Sequence, residues 1–280
     1  MAELNTILFP TDFSDYSNKT FPYAASLAKA FGAKIICMHV EEFLESDPAN
    51  PEHSFAAFKQ FDGSLETESV RIRGHAPYKH ILELSREKNC DLIVMATHGR
   101  SSLSQFFLGG SIAEDVARFS ETPVFIVKVE PGEPAESYTG RLKEILFTTD
   151  FSEASAKAFD YALAFAEKFD AKLFVLHVID DDSIEFYKTA EIYQDDRLKD
   201  RVEAFLREYV DGLSGSERVT SIHVAEGRAE SEIVRFAEEH EIDLIAIATR
   251  GHSLLEDELL GTTSDRVIRH APCPVLTVRG

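Results

Sequence analysis

Leu8-Phe9-Pro10-Thr11-Asp12-Phe13-Ser14 recurs as Leu146-Phe147-Thr148-Thr149-Asp150-Phe151-Ser152, and the two stretches differ only where Pro10 gives way to Thr148. The same offset carries His39-Val40 onto His177-Val178. By Asp91-Leu92-Ile93, matched by Asp243-Leu244-Ile245, the offset has grown, so the second copy holds extra residues between its second and fourth strands. Ala96-Thr97-His98-Gly99 and Ala248-Thr249-Arg250-Gly251 keep that larger offset. At Pro123-Val124 and Pro274-Val275 it is smaller again, which places a one-residue gain in the first copy between Gly99 and Pro123. Such a repeat settles the architecture before any local reading does. The 280 residues suit two domains of about 100–150 residues each. The expected boundaries are 1–130 and 141–280. Val129–Gly140, with two prolines, two glycines and three acidic residues, reads as an exposed linker.

Within each copy, strand patterns alternate with helical ones. In the first, strands are expected at Thr6–Phe9, Lys34–Val40, Ser69–Ile72, Leu92–Ala96 and Val124–Val127. They read as continuous apolar runs, as in a parallel sheet covered on both faces. An amphipathic helix near Ser17–Phe31 presents Phe21, Ala24, Ala25, Leu27, Ala28 and Phe31 on one face, and Gly32 stops it. Ala158–Phe169 repeats that face. Further helices are expected at Tyr78–Lys88 and Glu230–Glu239, and after each glycine motif. The crossovers differ most. The second copy has a long helical pattern, Asp195–Gly212, with Val202, Phe205, Leu206 and Val210 as its buried stripe. The first has only a short segment around His53–Phe61, whose Phe55, Phe58 and Phe61 read as core. The fold class is α/β: two tandem Rossmann-like, doubly wound domains, each a five-stranded parallel sheet in the order 3-2-1-4-5.

Composition removes several function classes. A formal net charge of −20 disfavours nucleic-acid binding, which needs a basic counter-surface. No apolar run approaches the roughly 20 residues of a membrane span. The opening MAELNTILFPTDFS reads as the start of a strand, not as a signal peptide. Cys37, Cys90 and Cys273 are few, odd in number and far apart, which fits a reducing cytoplasm and argues against a disulfide framework. No cluster has metal-ligand spacing, and His39 and His177 read as packed, hydrogen-bonded strand residues. GxxxxGK[ST] and a GxGxxG after the first strand are both absent, so neither a P-loop nor a dinucleotide-binding site is expected.

Two features in each copy go beyond scaffold: the Thr-Asp turn after strand one and the glycine segment after strand four. Ligands of open α/β sheets bind outside the carboxyl ends of the strands where the winding reverses. In the order 3-2-1-4-5 that point lies between strands one and four, with the end of strand two beside it. Glycines followed by a helix start offer inward-turned N–H groups and a positive dipole end to a phosphate. A hydroxyl at Ser111 or Thr262 can cap that helix and also reach a phosphate oxygen. A plain loop and cap, with no ligand, is the competing reading.

The combination of the Pro-Thr-Asp turn, the His-Val at the end of strand two, and Thr-His-Gly-Arg followed by Leu-Gly-Gly-Ser resembles the universal stress protein domain, in tandem over essentially the whole chain. ATP-binding members of that family carry Gly-x2-Gly-x9-Gly-[Ser/Thr]. Here Ala96 and Ala248 replace the first glycine. Gly251, Gly261 and Thr262 keep the remaining spacing, whereas the first copy inserts Gly110 between Gly109 and Ser111. The resemblance implies ATP, or ADP or AMP, with Mg as a companion ion. Asp12 and Asp150 would sit at the ribose or a phosphate-bound metal, and Val40 and Val178 at the adenine. The glycine segments would take the phosphates. The candidate binding set is Pro10, Thr11, Asp12, Val40, Met95, Ala96, Gly99, Arg100, Gly109, Gly110 and Ser111, then Thr148, Thr149, Asp150, Val178, Ile247, Ala248, Gly251, Gly261, Thr262 and Thr263. Arg100 favours nucleotide in the first copy, and Glu256-Asp257-Glu258 oppose it in the second. No catalytic machinery is legible. The expectation is therefore a nucleotide-binding stress-response regulator with little or no hydrolysis. The alternatives are a nucleotide-free adaptor and a slow ATPase. The family pairs domains through the last strand, so Val124–Val127 and Val275–Val278 are expected to form an internal pseudo-dimer, removing two strand edges. A homodimer of whole chains is compatible with the sequence, and no protein partner is legible.

Overall fold

The computed structural model describes residues 2–41, 55–56, 58–59, 61–98, 112–130, 132, 134, 137, 139–180, 187, 198–249 and 262–280. They form two compact units, Glu3–Arg141 and Leu142–Gly280.

The first unit runs β1 (Thr6–Pro10), α1 (Asp15–Phe31), β2 (Lys34–Glu41), β3 (Thr67–Arg73), α2 (Pro77–Glu87), β4 (Leu92–His98), α3 (Ile112–Phe119) and β5 (Val124–Val129). Its strands are parallel and ordered β3-β2-β1-β4-β5. The second unit repeats this with β6 (Glu144–Thr148), α4 (Glu153–Phe169), β7 (Lys172–Ile179), α5 (Leu198–Asp211), β8 (Val219–Glu226), α6 (Ala229–Glu239), β9 (Leu244–Ala248), α7 (Thr262–His270) and β10 (Val275–Val278). Its order is β8-β7-β6-β9-β10, again parallel. Both are the 3-2-1-4-5 sheet expected, so in each unit the winding reverses between the first strand and the fourth.

The first helix of each unit starts on a serine and ends in a left-handed residue. Ser14 accepts from the Ser17 N–H and Ser152 from the Ser155 N–H, satisfying one of the free donors at a helix start. Gly32 closes α1 at φ 73°. Asp170 closes α4 at φ 51° and pairs with Arg218 at 2.7 Å; aspartate is among the few residues that enter this region readily. The buried faces also match. Phe9 meets Phe21 edge-on at 5.2 Å, and Phe147 meets Phe159 edge-on at 5.3 Å. Burying each such ring contributes about 1.5–3 kcal/mol.

Asp91 and Asp243 explain another repeated motif. Asp91 Oδ2 accepts from the Asn5 and Thr6 N–H groups, and Asp243 Oδ2 from those of Lys143 and Glu144. Each carboxylate thus anchors the start of the first strand, at the end of the sheet away from the reversal crevice. Gly140, at φ 64°, lies against α1: a Cβ there would stand 2.8 Å from the Pro22 carbonyl oxygen. Ser26 donates to the Gly140 carbonyl.

Three expectations are corrected. β3 is not a continuous apolar run: half-buried and exposed positions alternate along it because it is an edge strand. Phe55 and Phe58 are core, but Phe61 is 54% exposed and touches Phe21 only edge-on. In α5, Val202, Leu206 and Val210 are buried, whereas Phe205 is half-buried.

Candidate functional site

The turn after β1 and its twin after β6 are built from the same bonds. The Thr11 N–H reaches across to the Met38 carbonyl, and the Thr149 N–H to that of Leu176. Thr11 Oγ1 accepts the Phe13 N–H at 2.9 Å, as Thr149 Oγ1 accepts that of Phe151 at 3.0 Å. Each threonine hydroxyl also bonds a serine one turn into the following helix, Ser17 or Ser155. Closing the turn forces a phenylalanine into the left-handed region, Phe13 at φ 59° and Phe151 at φ 68°. That conformation costs about 1–2 kcal/mol for such a residue, so the surrounding contacts hold it in place.

Two of those contacts come from the end of the second strand. His39 Nδ1 donates to the Thr11 carbonyl at 2.8 Å, and His177 Nδ1 to the Thr149 carbonyl at 2.7 Å. Phe13 packs on the His39 ring at 4.7 Å and Phe151 on the His177 ring at 4.4 Å. Both histidines are buried. Burial holds the His177 pKa at about 4, outweighing the Thr149 hydrogen bond and the nearby Asp150 charge, so the ring is neutral at pH 7.

The copies then diverge. Phe13 is packed by Phe55 and Phe58, an apolar cage. Phe151 is packed by Phe205 and Tyr209. The Tyr209 hydroxyl lies 3.4 Å from Ser155 Oγ, and the fully buried Tyr187 hydroxyl bonds His177 Nε2.

Asp12 projects from the first turn into solvent. Its Oδ1 accepts from the Ser14 N–H at 3.0 Å and the Ser17 hydroxyl at 2.9 Å. Desolvation opposes its ionisation, but hydrogen bonds from Ser14 and Ser17 outweigh it and hold the carboxyl below its usual range. Oδ2 has no partner among the described residues. Asp150 Oδ1 is held by the Ser152 N–H and hydroxyl.

The remaining candidates fall around these turns. Pro10 ends β1, and Thr148 ends β6 with its hydroxyl on the Ala246 carbonyl of neighbouring β9. Val40 is half-buried near the end of β2, and Val178 is buried in β7. Met95 and Ile247 are buried, Ala96 and Ala248 half-buried, toward the ends of β4 and β9. Neither alanine has positive φ, so replacing the family's glycine brings no left-handed strain at either position. Thr262 is the first residue of α7 and Thr263 the second. Gly99, Arg100, Gly109, Gly110, Ser111, Gly251, Gly261 and the acidic Glu256-Asp257-Glu258 lie outside the described residues.

The sequence reading missed Ser17 and Ser155, although they recur at the offset of the turns and could have been found from it. It also missed the positive φ of the phenylalanines, which leaves no mark in sequence, and a charge cluster at the ends of β2 and β3. There Glu41 binds Arg71 at 2.8 Å and Arg73 at 3.2 Å, and the Arg71 hydrogen bond leads in lowering the Glu41 pKa. The cysteines are bland, as expected. Burial pushes the Cys37 thiol up to about 12 and Cys90 to about 11, and raises Cys273 as well. No group of three or more His, Cys, Asp or Glu among the described residues could hold a metal ion. None of the described helices is long and apolar enough to cross a membrane.

A 3-2-1-4-5 sheet with a braced Thr-Asp turn at its reversal crevice, present twice in one chain, defines a tandem doubly wound α/β protein. The universal stress protein family model matches residues 3–128 and again residues 141–279. The chain belongs to the universal stress protein family. A universal stress protein of Methanocaldococcus jannaschii is 33% identical over 141 residues, 49% of this chain and 82% of its own length. The crystal structure of a universal stress protein from Archaeoglobus fulgidus superposes with a TM-score of 0.68 at 23% identity, covering 99% of this chain and 97% of the other. A functionally unknown protein from Pseudomonas aeruginosa gives 0.69 at 17% identity, covering 99% and 92%. At these identities the two structures speak for the fold alone.

Proposed function

We propose that this protein is a stress-response regulator that binds ATP or a related adenine nucleotide at the reversal crevice, with little or no hydrolysis. Family membership supports the stress role. The observation that carries the ligand is Asp12. It is a carboxylate held ionised at the end of the first strand, with one oxygen pinned by Ser14 and Ser17 and the other without a partner among the described residues. Such an oxygen accepts a ribose hydroxyl, as the acidic residue does in other doubly wound nucleotide sites. It also suits Mg, which prefers hard oxygen ligands and arrives with phosphates. Bound Mg would neutralise phosphate charge; Asp12 and Asp150 are the residues that would hold it.

The turn histidines support binding without turnover. Their Nδ1 atoms are committed to the Thr11 and Thr149 carbonyls, so those atoms serve the turns and not an attacking water. All three cysteines are free and buried, which supports residence in a reducing cytoplasm.

The test has two steps. Mass spectrometry of the denatured, purified chain should release an adenine nucleotide. Calorimetry on stripped protein should then show ATP, ADP or AMP binding that Asp12→Ala weakens at least about tenfold, while phosphate release from ATP stays at background. No heat with any of the three would overturn the reading and leave the adaptor alternative. Protein-dependent phosphate release would favour a slow ATPase.

A further inference from the structure

We propose that Tyr187 is a positioning residue for the second crevice, acting through His177 on the turn that carries Asp150. The Thr149 carbonyl can only accept, so His177 Nδ1 bears the proton. A neutral imidazole then has a bare Nε2 that can only accept. The ring is buried, and a buried acceptor left without a donor is costly. The Tyr187 hydroxyl is that donor. Tyr187 is itself fully buried, its ring standing perpendicular to His177 at 5.9 Å. It packs with Ile179 and Val202 in a cluster against which Phe151 rests. One residue thus fixes the histidine that holds the Thr149 carbonyl and supports the phenylalanine strained at φ 68°. Among the described residues the first copy shows no such device. Thr11 is the only hydrogen-bond partner of His39 among the described residues, and Phe13 is caged by Phe55 and Phe58.

The ligand part of this proposal rests on the nucleotide reading above, so the experiment separates the two. Amide exchange is measured in the full chain with and without Tyr187→Phe. The Thr149 N–H, bonded to the Leu176 carbonyl, and the Phe151 and Ser152 N–H groups, bonded within the turn, should exchange about tenfold faster in the variant. Those of Thr11, Phe13 and Ser14 should not change. ATP is then titrated against the Asp12→Ala chain, in which the first crevice is weakened, and Tyr187→Phe in that background should lower affinity about tenfold. Unchanged exchange at Thr149–Ser152, or equal acceleration in both turns, overturns the positioning role. Faster exchange with unaltered ATP affinity overturns its part in binding. If the Asp12→Ala chain with Tyr187 intact binds no ATP, the nucleotide reading of the second crevice falls, and the exchange comparison alone decides Tyr187.

Discussion

His177→Asn should narrow its own stability deficit as the solution is acidified from pH 7 to pH 5. In the folded chain His177 titrates near 4, pushed down chiefly by burial, against 6.5 for an ordinary histidine. The unfolded chain therefore binds a proton that the folded chain refuses, and stability falls as pH drops from about 6.5 to about 4. Linkage puts that loss at about 2 kcal/mol by pH 5 and about 3 kcal/mol once pH is below 4. Asparagine keeps an N–H near the position of Nδ1 but cannot titrate. At pH 7 the variant should be the less stable chain, and by pH 5 the gap should close by about 2 kcal/mol. His223 is also depressed, by burial and then by His240, but it is present in both chains and cancels. Asp12, depressed below its ordinary 3.8, loses stability only at lower pH and cancels likewise. Urea titration with pulsed hydrogen exchange, read on peptides of Leu142–Gly280, isolates the second unit. For a urea dependence of 1–3 kcal/mol per molar, the change in midpoint difference is about 1 M. An equal gap at both pH values would refute the buried Tyr187–His177–Thr149 arrangement.

Two further predictions test packing and capping. Phe58→Ala, at a position 5% exposed, should cost about 3 kcal/mol, whereas Phe61→Ser, at one 54% exposed, should stay within about 0.5 kcal/mol; urea midpoints of the first unit distinguish them. Ser14→Ala and Ser152→Ala should each cost about 1 kcal/mol by removing a helix cap. Ser17→Ala should raise the Asp12 pKa, visible by carboxyl NMR titration, because the Ser17 hydroxyl donates to Asp12 Oδ1 and lowers it.

The repeat made the fold legible because a parallel sheet writes its buried strands as apolar runs and its helices as matched faces. Phe9 with Phe21 and Phe147 with Phe159 are the same contact at the same offset, so burial of one copy could be read from the other. The edge strand escaped because period-2 burial over seven residues is a weak signal, and Ser69–Ile72 holds too few side chains to show it. Phe61 escaped because three-residue spacing on a short helix does not say where the helix ends or which flank faces solvent. At the site, Thr11, Asp12, Thr149 and Asp150 were visible as types in a repeated pattern. Their bracing was not: the Nδ1 bonds of His39 and His177 cross from the second strand to the first, and strand pairing rather than spacing brings them together. Tyr187 was the least legible, since it belongs to the crossover where the copies no longer align.

Among the described residues, the edge strands beside that crossover also differ in charge between the two units. In the first unit Val40 pairs with Ile72, and Arg71 and Arg73 flank it, sharing Glu41. In the second unit the corresponding register sets Val178 against Ala225, flanked by Val224 and Glu226, with Ile179 in the place of Glu41. Among the described residues, two guanidiniums and one carboxylate at the ends of β2 and β3 correspond to one carboxylate at the ends of β7 and β8. Among the described residues the second turn is the more heavily hydrogen-bonded, with Tyr187, His177, Tyr209 and Ser155 joined to Thr149. Both units keep the same turn, and the described residues around it differ: Phe55 and Phe58 pack Phe13 in the first, whereas buried hydrogen bonds through Tyr187 and His177 brace Thr149 in the second.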